Sequence, residues 1–268
     1  MKLEAHPSNS ATKMLLIGDS GTGKTGALAS LAKAGYNLRI LDFDAGLDIL
    51  AQVLRDESDA LSRVSFATLT DRLKNVGNRI IPDGLPNAFS RATKLLNHWK
   101  DGTEDLGPVT SWTERDVLVI DSMTFASSAA LRLVLGQNGR SGQQPQLQDW
   151  GEAMRMIEDL LGLLYSDAVR CNVIVTSHIA FVETESGLSK GYPSTLGQKL
   201  PPKVGRYFNT VLLTKSVGTG ANAKRKIITT SQGLIDLKHP APGRVPPELP
   251  LETGLADFFK ILHKETPV

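Results

Sequence analysis

Cysteine is nearly absent. Cys171 stands alone among 268 residues. A single thiol closes no intramolecular disulfide, and with five scattered histidines it assembles no zinc cluster. Placed just before an apolar run, Cys171 reads as a small buried thiol. Charge of one sign is also missing: 30 basic against 28 acidic residues leave a net charge of +2. Bulk charge therefore excludes a general nucleic-acid binder, and any such surface must be a local patch. No apolar run approaches the length that spans a bilayer. Met1–Thr12 is polar and has no apolar signal segment. These absences predict a cytoplasmic chain with no membrane association.

What is present is ordinary globular composition, 41% hydrophobic and 22% charged, enough for one sizeable α/β domain. Apolar runs predict strands at Met14–Ile17, Leu38–Phe43, Val64–Leu69, Val117–Ile120, Asn172–Thr176 and Tyr207–Thr214. Helices are predicted over Thr25–Ala34 (ended by Gly35), Pro86–Lys100, Thr124–Leu135 and Asp149–Tyr165. The last carries Trp150, Ala153, Met154, Ile157, Leu160, Leu161 and Leu164 on one face at helical period. Asp101–Thr113 reads as a loop, Gly136–Gln148 as a mobile Gly/Gln-rich loop, and Phe181–Gly205 as a long structureless segment. Lys226–Thr230 and Leu234–Lys238 read as a hairpin around Ser231–Gly233. Strands alternating with helices imply a mostly parallel central sheet, and the late strands an antiparallel C-terminal extension. The expected organisation is a flexible tail over 1–13, a core over 14–240, and a Pro-rich connector with a docked C-terminal helix over 241–268.

The sharpest pattern is Gly18-Asp19-Ser20-Gly21-Thr22-Gly23-Lys24-Thr25, which fits G-x-x-x-x-G-K-[ST]. Such a match arises by accident in roughly one chain of this length in a hundred. A strand precedes it and a helix follows, as a phosphate-binding loop requires. Its glycines let backbone N–H groups turn toward phosphates, and the helix start adds its dipole. Lys24 is expected at the β/γ-phosphates, Thr25 on magnesium, and Gly26 in the backbone cradle. Val117–Asp121 supplies the second half: an apolar strand ending in a carboxylate for the metal. Hydrolysis also needs a carboxylate on the attacking water, with Asp42, Asp44 and Asp48 as candidates. ATP and Mg2+ are the expected cofactors, and the absence of an N-K-x-D run favours adenine over guanine.

At these residues the sequence resembles the RecA-type recombinase core, whose second strand ends in D-x-E-x-x-L-D. Here Asp42-Phe43-Asp44-Ala45-Gly46-Leu47-Asp48 follows that pattern, with Asp44 in the place of the family's catalytic Glu. Asp121-Ser122 matches the end of the family's magnesium strand. His178 stands where the family has a polar γ-phosphate sensor, and Phe181–Gly205 and Gly136–Gln148 stand where it has DNA-binding loops. More narrowly, the chain is similar to the phage Sak-type annealing ATPases and their AAA-domain relatives. The matching features are Trp150-Gly151, His178 and Leu196-Gly197-Gln198-Lys199-Leu200-Pro201. The resemblance covers roughly residues 14–262 and implies a RecA-like P-loop fold. It also implies slow, DNA-stimulated ATP hydrolysis, with Lys24, Asp44, Asp121 and His178 as catalytic groups.

The resemblance further implies single-stranded DNA as a partner in phage recombination, contacted by Arg140, Lys190, Tyr192, Lys199, Lys203 and Arg206. Self-association into a ring or filament follows from it, with a single-strand DNA-binding protein as a further partner. In the family a lysine completes the neighbouring subunit's ATP site, and Lys238 stands in that position. If the chain is viral, its compartment is the host cytoplasm. Two other readings stay open: a small-molecule P-loop kinase, and a nucleotide-gated assembly module that does not bind DNA. The shorter Asp44 in place of Glu points toward the second.

Overall fold

The structure is a computed structural model that describes residues 11–183, 187–218 and 223–263. It opens with strand β1 (Lys13–Ile17), followed after the glycine-rich turn by α1 (Lys24–Ala27) and α2 (Ala29–Lys33). Leu28 between them is itself αR, so the two run on as one helix until Gly35, at φ 88°, turns the chain away. Then come β2 (Asn37–Asp42), α3 (Asp48–Val53), α4 (Ser58–Ser62) and β3 (Val64–Thr68). A hairpin of β4 (Leu73–Val76) and β5 (Arg79–Pro82) leads to α5 (Ala88–Asn97). A second hairpin, β6 (Trp99–Asp101) and β7 (Glu104–Gly107), precedes β8 (Asp116–Asp121). Helices α6 (Met123–Gln137) and α7 (Leu147–Tyr165) lead to β9 (Asn172–Ser177). A third hairpin, β10 (Ile179–Glu183) and β11 (Ser189–Pro193), is followed by α8 (Pro201–Val204). The chain closes with β12 (Thr210–Val217), β13 (Lys224–Ile228), β14 (Glu248–Pro250) and α9 (Gly254–Leu262).

Eight strands form one sheet in the order β14-β13-β12-β1-β9-β8-β2-β3. From β3 through β12 every pairing is parallel; β13 and β14 are antiparallel additions. The predicted α/β class, a mostly parallel sheet with an antiparallel C-terminal extension, is what the chain builds. Strand β9 is buried at every position because it is covered on both faces. Along β1 the side chains alternate between layers. Leu15 and Ile17 join a core with α5, α6 and α7, while Met14 and Leu16 join one with α1, α2 and α9. Cys171 is buried, and burial pushes its thiol up to about 11, so it is packing rather than a nucleophile.

Several expectations need correcting. Residues 1–10 of the proposed tail lie outside the described residues. Ala11 and Thr12 are buried, however, Val173 N donates to Thr12 O, and Lys13 begins β1, so 11–13 are held against the core. Asp101–Thr113 is not all loop: it contains most of the β6–β7 hairpin and a 3-10 turn at Val109–Ser111. Trp99 and Trp112 pack there with ring centroids 5.8 Å apart. The stretch from Phe181 is not structureless, since β10 and β11 pair from Ile179↔Pro193 to Glu183↔Ser189. Lys226–Thr230 does not pair with Leu234–Lys238; it pairs with β12 and β14, while Lys238 bridges to Val211. The open edge of β12 offers a longer ladder than a local turn can.

The loop between α6 and α7 is tied down rather than free. Arg140 Nε donates to Asp149 Oδ2 at 3.0 Å and Asn138 Nδ2 to Asp149 Oδ1 at 3.0 Å, with a second Arg140 bond to Oδ1. Gln146 N adds a fourth donor, closing the N-terminus of α7 as a capping box. These donors hold the buried Asp149 carboxyl at about 2, below its ordinary 3.8. A depressed carboxylate stabilises the fold above its unfolded pKa, and that contribution is lost as pH falls from about 4 to about 2. Arg140→Ala is expected to lower the melting temperature at neutral pH and to flatten this acid step. Melting curves of both proteins between pH 2 and 7 check it; identical pH profiles would refute the role.

Candidate active site

The glycine-rich turn leaves the sheet at the C-terminal end of β1, between β9 and β12, where open α/β sheets place their ligands. Gly18 N donates to Ser177 O at 3.1 Å. A Cβ at Gly18 would sit 2.2 Å from Thr214 Oγ1 and 2.8 Å from Thr214 O, so only glycine fits against β12. The Thr22 hydroxyl closes the turn on Asp19 O (2.8 Å) and meets Thr214 Oγ1 at 2.7 Å. Gly23, at φ 98°, sets the direction of α1.

Lys24 is 7% exposed, and its Nζ donates to Gly18 O at 2.9 Å and Asp19 O at 3.0 Å. The ammonium thus caps its own loop. Burial lowers its pKa, while the carboxylates of Asp121, Asp44 and Asp19 act to raise it. Thr25 Oγ1 donates to Asp121 Oδ2 at 2.7 Å, and Thr176 Oγ1 donates to Asp121 Oδ1. Asp121 ends β8 beside Asp42, with which it pairs in register.

Of the three further carboxylates, the structure separates the roles. Asp42 is buried and accepts long bonds from Gly46 N (3.4 Å) and Thr68 Oγ1 (3.5 Å), so it closes the loop after β2. Asp48 is exposed at the first turn of α3. Asp44 lies against the site: its Oδ1 accepts from Ser122 N and Ser122 Oγ, both at 2.9 Å. Burial raises its pKa first, then the neighbouring Asp121, against the two Ser122 bonds. The turn that carries it includes Ala45 at φ 51°, a left-handed conformation that costs a non-glycine residue energy.

His178 follows β9. Its N donates to Thr124 Oγ1 (3.1 Å) and its O accepts from Ser194 N (2.7 Å), so its backbone is fixed at the root of the β10–β11 hairpin. Its ring meets Phe125 edge-on at 6.4 Å. Burial lowers the imidazole pKa, and so does Lys24, while Asp44 and Asp121 act to raise it. Gly18–Gly26, Asp121, Asp44 and His178 therefore converge on one end of the sheet.

Three of the residues expected on DNA carry ion pairs within the protein. Arg140 is committed to Asp149, Lys190 to Asp236, and Lys203 to Glu158 at 3.3 Å. Lys199 and Arg206 are exposed, and Tyr192 is half-buried on β11. Lys238 bridges to Val211, in the strand whose Thr214 meets the P-loop. Sequence reasoning missed Thr176 and Thr214. Both are hydroxyl residues near the ends of apolar strands, a weak signal that only the strand order turns into a contact.

Fold and site define a P-loop ATPase. The sequence matches the model of the AAA domain family over residues 10–238. The chain belongs to that family. Among curated proteins no sequence matches it. Similar solved structures include the RadB recombinase, at 14% identity and TM-score 0.45, over 91% of this chain and 89% of that one. Flagellar accessory protein FlaH from Methanocaldococcus jannaschii matches at 11% identity and TM-score 0.43, over 91% and 87% of the two chains. A KaiC-like protein from Pyrococcus horikoshii OT3 matches at 11% identity and TM-score 0.39, over 81% and 77%. Among the described residues no helix is long and apolar enough to cross a membrane.

Proposed function

We propose that the chain binds ATP with magnesium at Gly18–Gly26, hydrolyses it, and uses the nucleotide state to control a grip on single-stranded DNA in phage-type recombination. The observation that carries this reading is the backbone connection at His178. One residue lies within electrostatic reach of Lys24, Asp44 and Asp121 and also roots the hairpin that bears the exposed Phe181. Loss of the γ-phosphate at His178 would be felt directly by that hairpin.

The donor set suits magnesium: the Thr25 hydroxyl and the Asp121 carboxylate are hard oxygens already adjacent, with phosphate oxygens and water to complete the shell. When bound, the ion supplies charge neutralisation between the β- and γ-phosphates. Lys24 would exchange its two loop carbonyls for phosphate oxygens. Ser122 holds Asp44 through Oδ1, leaving Oδ2 to orient the attacking water and accept its proton. Asp44→Asn is expected to keep ATP binding and lower turnover about a hundredfold or more. Steady-state hydrolysis beside a binding titration checks it; unchanged turnover would remove Asp44 from the chemistry.

The DNA part is tested by ATPase rate and by fluorescence anisotropy of a labelled oligonucleotide, with ATP and with ADP. Binding that depends on ATP, and hydrolysis that rises with DNA, are expected. Phe181→Ala is expected to weaken DNA binding about tenfold, the size of one base–aromatic stack, without changing DNA-free hydrolysis. Hydrolysis indifferent to DNA, with an ATP-dependent change in assembly size, would favour the protein-assembly reading instead.

A further inference from the structure

Several basic side chains of the C-terminal half are paired within the protein. Lys190 pairs with Asp236, Lys203 with Glu158 and Lys226 with Glu248. Arg225, like Lys224 beside it, is exposed, and among the described residues no carboxylate pairs with it; Arg225 is the planar one of the two. It lies on β13 directly beside the P-loop. A Cβ at Gly23 would sit 3.2 Å from Arg225 Cδ and 2.4 Å from Leu251 Cδ2. From this contact a cleft of about 650 Å³ opens between β13 and the chain that joins β14 to α9. It is lined by Lys224, Arg225, Leu249, Pro250, Leu251 and Glu252.

The position of this cleft relative to the acidic groups is decisive. Strand β1 has β9 on one flank and β12 on the other. Asp121, Asp44 and His178 lie on the β9 side; Arg225 and the cleft lie on the β12–β13 side. A triphosphate laid across the loop with its terminal phosphate at Asp121 and Asp44 has its other end over the opposite flank. What lies there is an apolar floor of Leu251 and Pro250 beneath an unpaired planar cation. An arginine in that setting recognises a flat π-face, and the volume is that of a small-molecule pocket.

We propose that the cleft between β13 and the chain that joins β14 to α9 receives the nucleoside of the P-loop nucleotide, with Arg225 laid over the base as the residue that positions it. The proposal rests on the nucleotide reading given above and adds to it the half of the ligand that the P-loop motif does not address. It also explains why Gly23 meets β13 and the chain after β14 so closely: the cleft has to be continuous with the phosphate loop.

The test compares ATP with inorganic tripolyphosphate, which has the phosphates and no nucleoside, each titrated with magnesium by calorimetry. The variants are Arg225→Ala and Arg225→Lys, and Arg225 is an exposed side chain whose replacement leaves the core intact. Arg225→Ala is expected to weaken ATP about tenfold and leave tripolyphosphate unchanged. Arg225→Lys is expected to recover only part of the loss, because it restores charge without the plane. Equal weakening of both ligands would place Arg225 on the phosphates and overturn the proposal. No effect on either ligand would overturn it too. A wild type that binds neither ligand would overturn the nucleotide reading itself, and Lys24→Ala, expected to weaken both ligands, marks that distinction.

Discussion

Lys24→Ala is expected to reduce ATP turnover by at least about a hundredfold, the scale seen when one preorganised charge is removed from a transition state. The argument starts from burial. The ammonium is 7% exposed, bonded to Gly18 O and Asp19 O, and surrounded by Asp121, Asp44 and Asp19. A cation held at that depth without a salt-bridge partner is costly unless something uses it. Replacing two neutral carbonyls by phosphate oxygens converts ordinary hydrogen bonds into charge-assisted ones, roughly twice as strong. The same substitution removes a desolvated charge from the ligand-free protein, so its melting temperature is expected to change little. The rise in melting temperature that ATP produces in the wild type is expected to vanish. Thermal melts with and without ATP, beside a phosphate-release assay, check both halves. A variant that still melts higher with ATP and still turns over would refute the role of Lys24.

Phe259→Ala is expected to destabilise the protein by about 3–5 kcal/mol, the usual range for emptying a large aromatic site in a core. That corresponds to a fall of roughly 10 °C in melting temperature for a chain of this size. Phe259 is fully buried on α9 and meets Tyr36 edge-on at 5.4 Å and His263 at 5.2 Å. Tyr36 directly follows the helical run that begins at Lys24. Ala256 N also donates to Ser30 Oγ at 3.3 Å, inside that run. The C-terminal helix therefore supports the back of the P-loop helix, and its loosening reaches the nucleotide site. ATP binding is expected to weaken along with stability, since the folded, competent fraction falls. Denaturant melts and ATP titrations check this. A loss under about 1 kcal/mol would mean that α9 is peripheral to the fold.

The phosphate loop, the metal-strand carboxylate and the alternation of strands with helices are legible in the sequence because each is local. Gly18–Thr25 carries its chemistry in consecutive backbone groups, and β8 announces itself as an apolar run ending in Asp121. The long amphipathic face of α7 is equally local, one period repeated from Trp150 to Leu164. The hairpins β6–β7 and β10–β11 were not legible: β6, β7 and β11 are short and carry little alternation, and β10 is an apolar run of four with no helix or turn signal to separate it from β9. The partner of β13 was misread for a related reason: a strand's neighbour is chosen by whichever free edge the whole sheet presents, not by the nearest turn.

The same division runs through the site. Residue types and spacing alone pointed to a phosphate loop with a carboxylate strand end beside it. By residue type alone Asp42, Asp44 and Asp48 are alike; the resemblance singled out Asp44, and the tertiary structure gives the three different surroundings. They become different when Ser122 holds one, the loop after β2 uses another, and solvent takes the third. It also decided that Arg140, Lys190 and Lys203 carry counter-ions while Arg225 does not. Charge is written in the sequence one residue at a time. Whether a charge is free depends on what the fold brings within a few ångströms of it, and that is a property of strand order and packing.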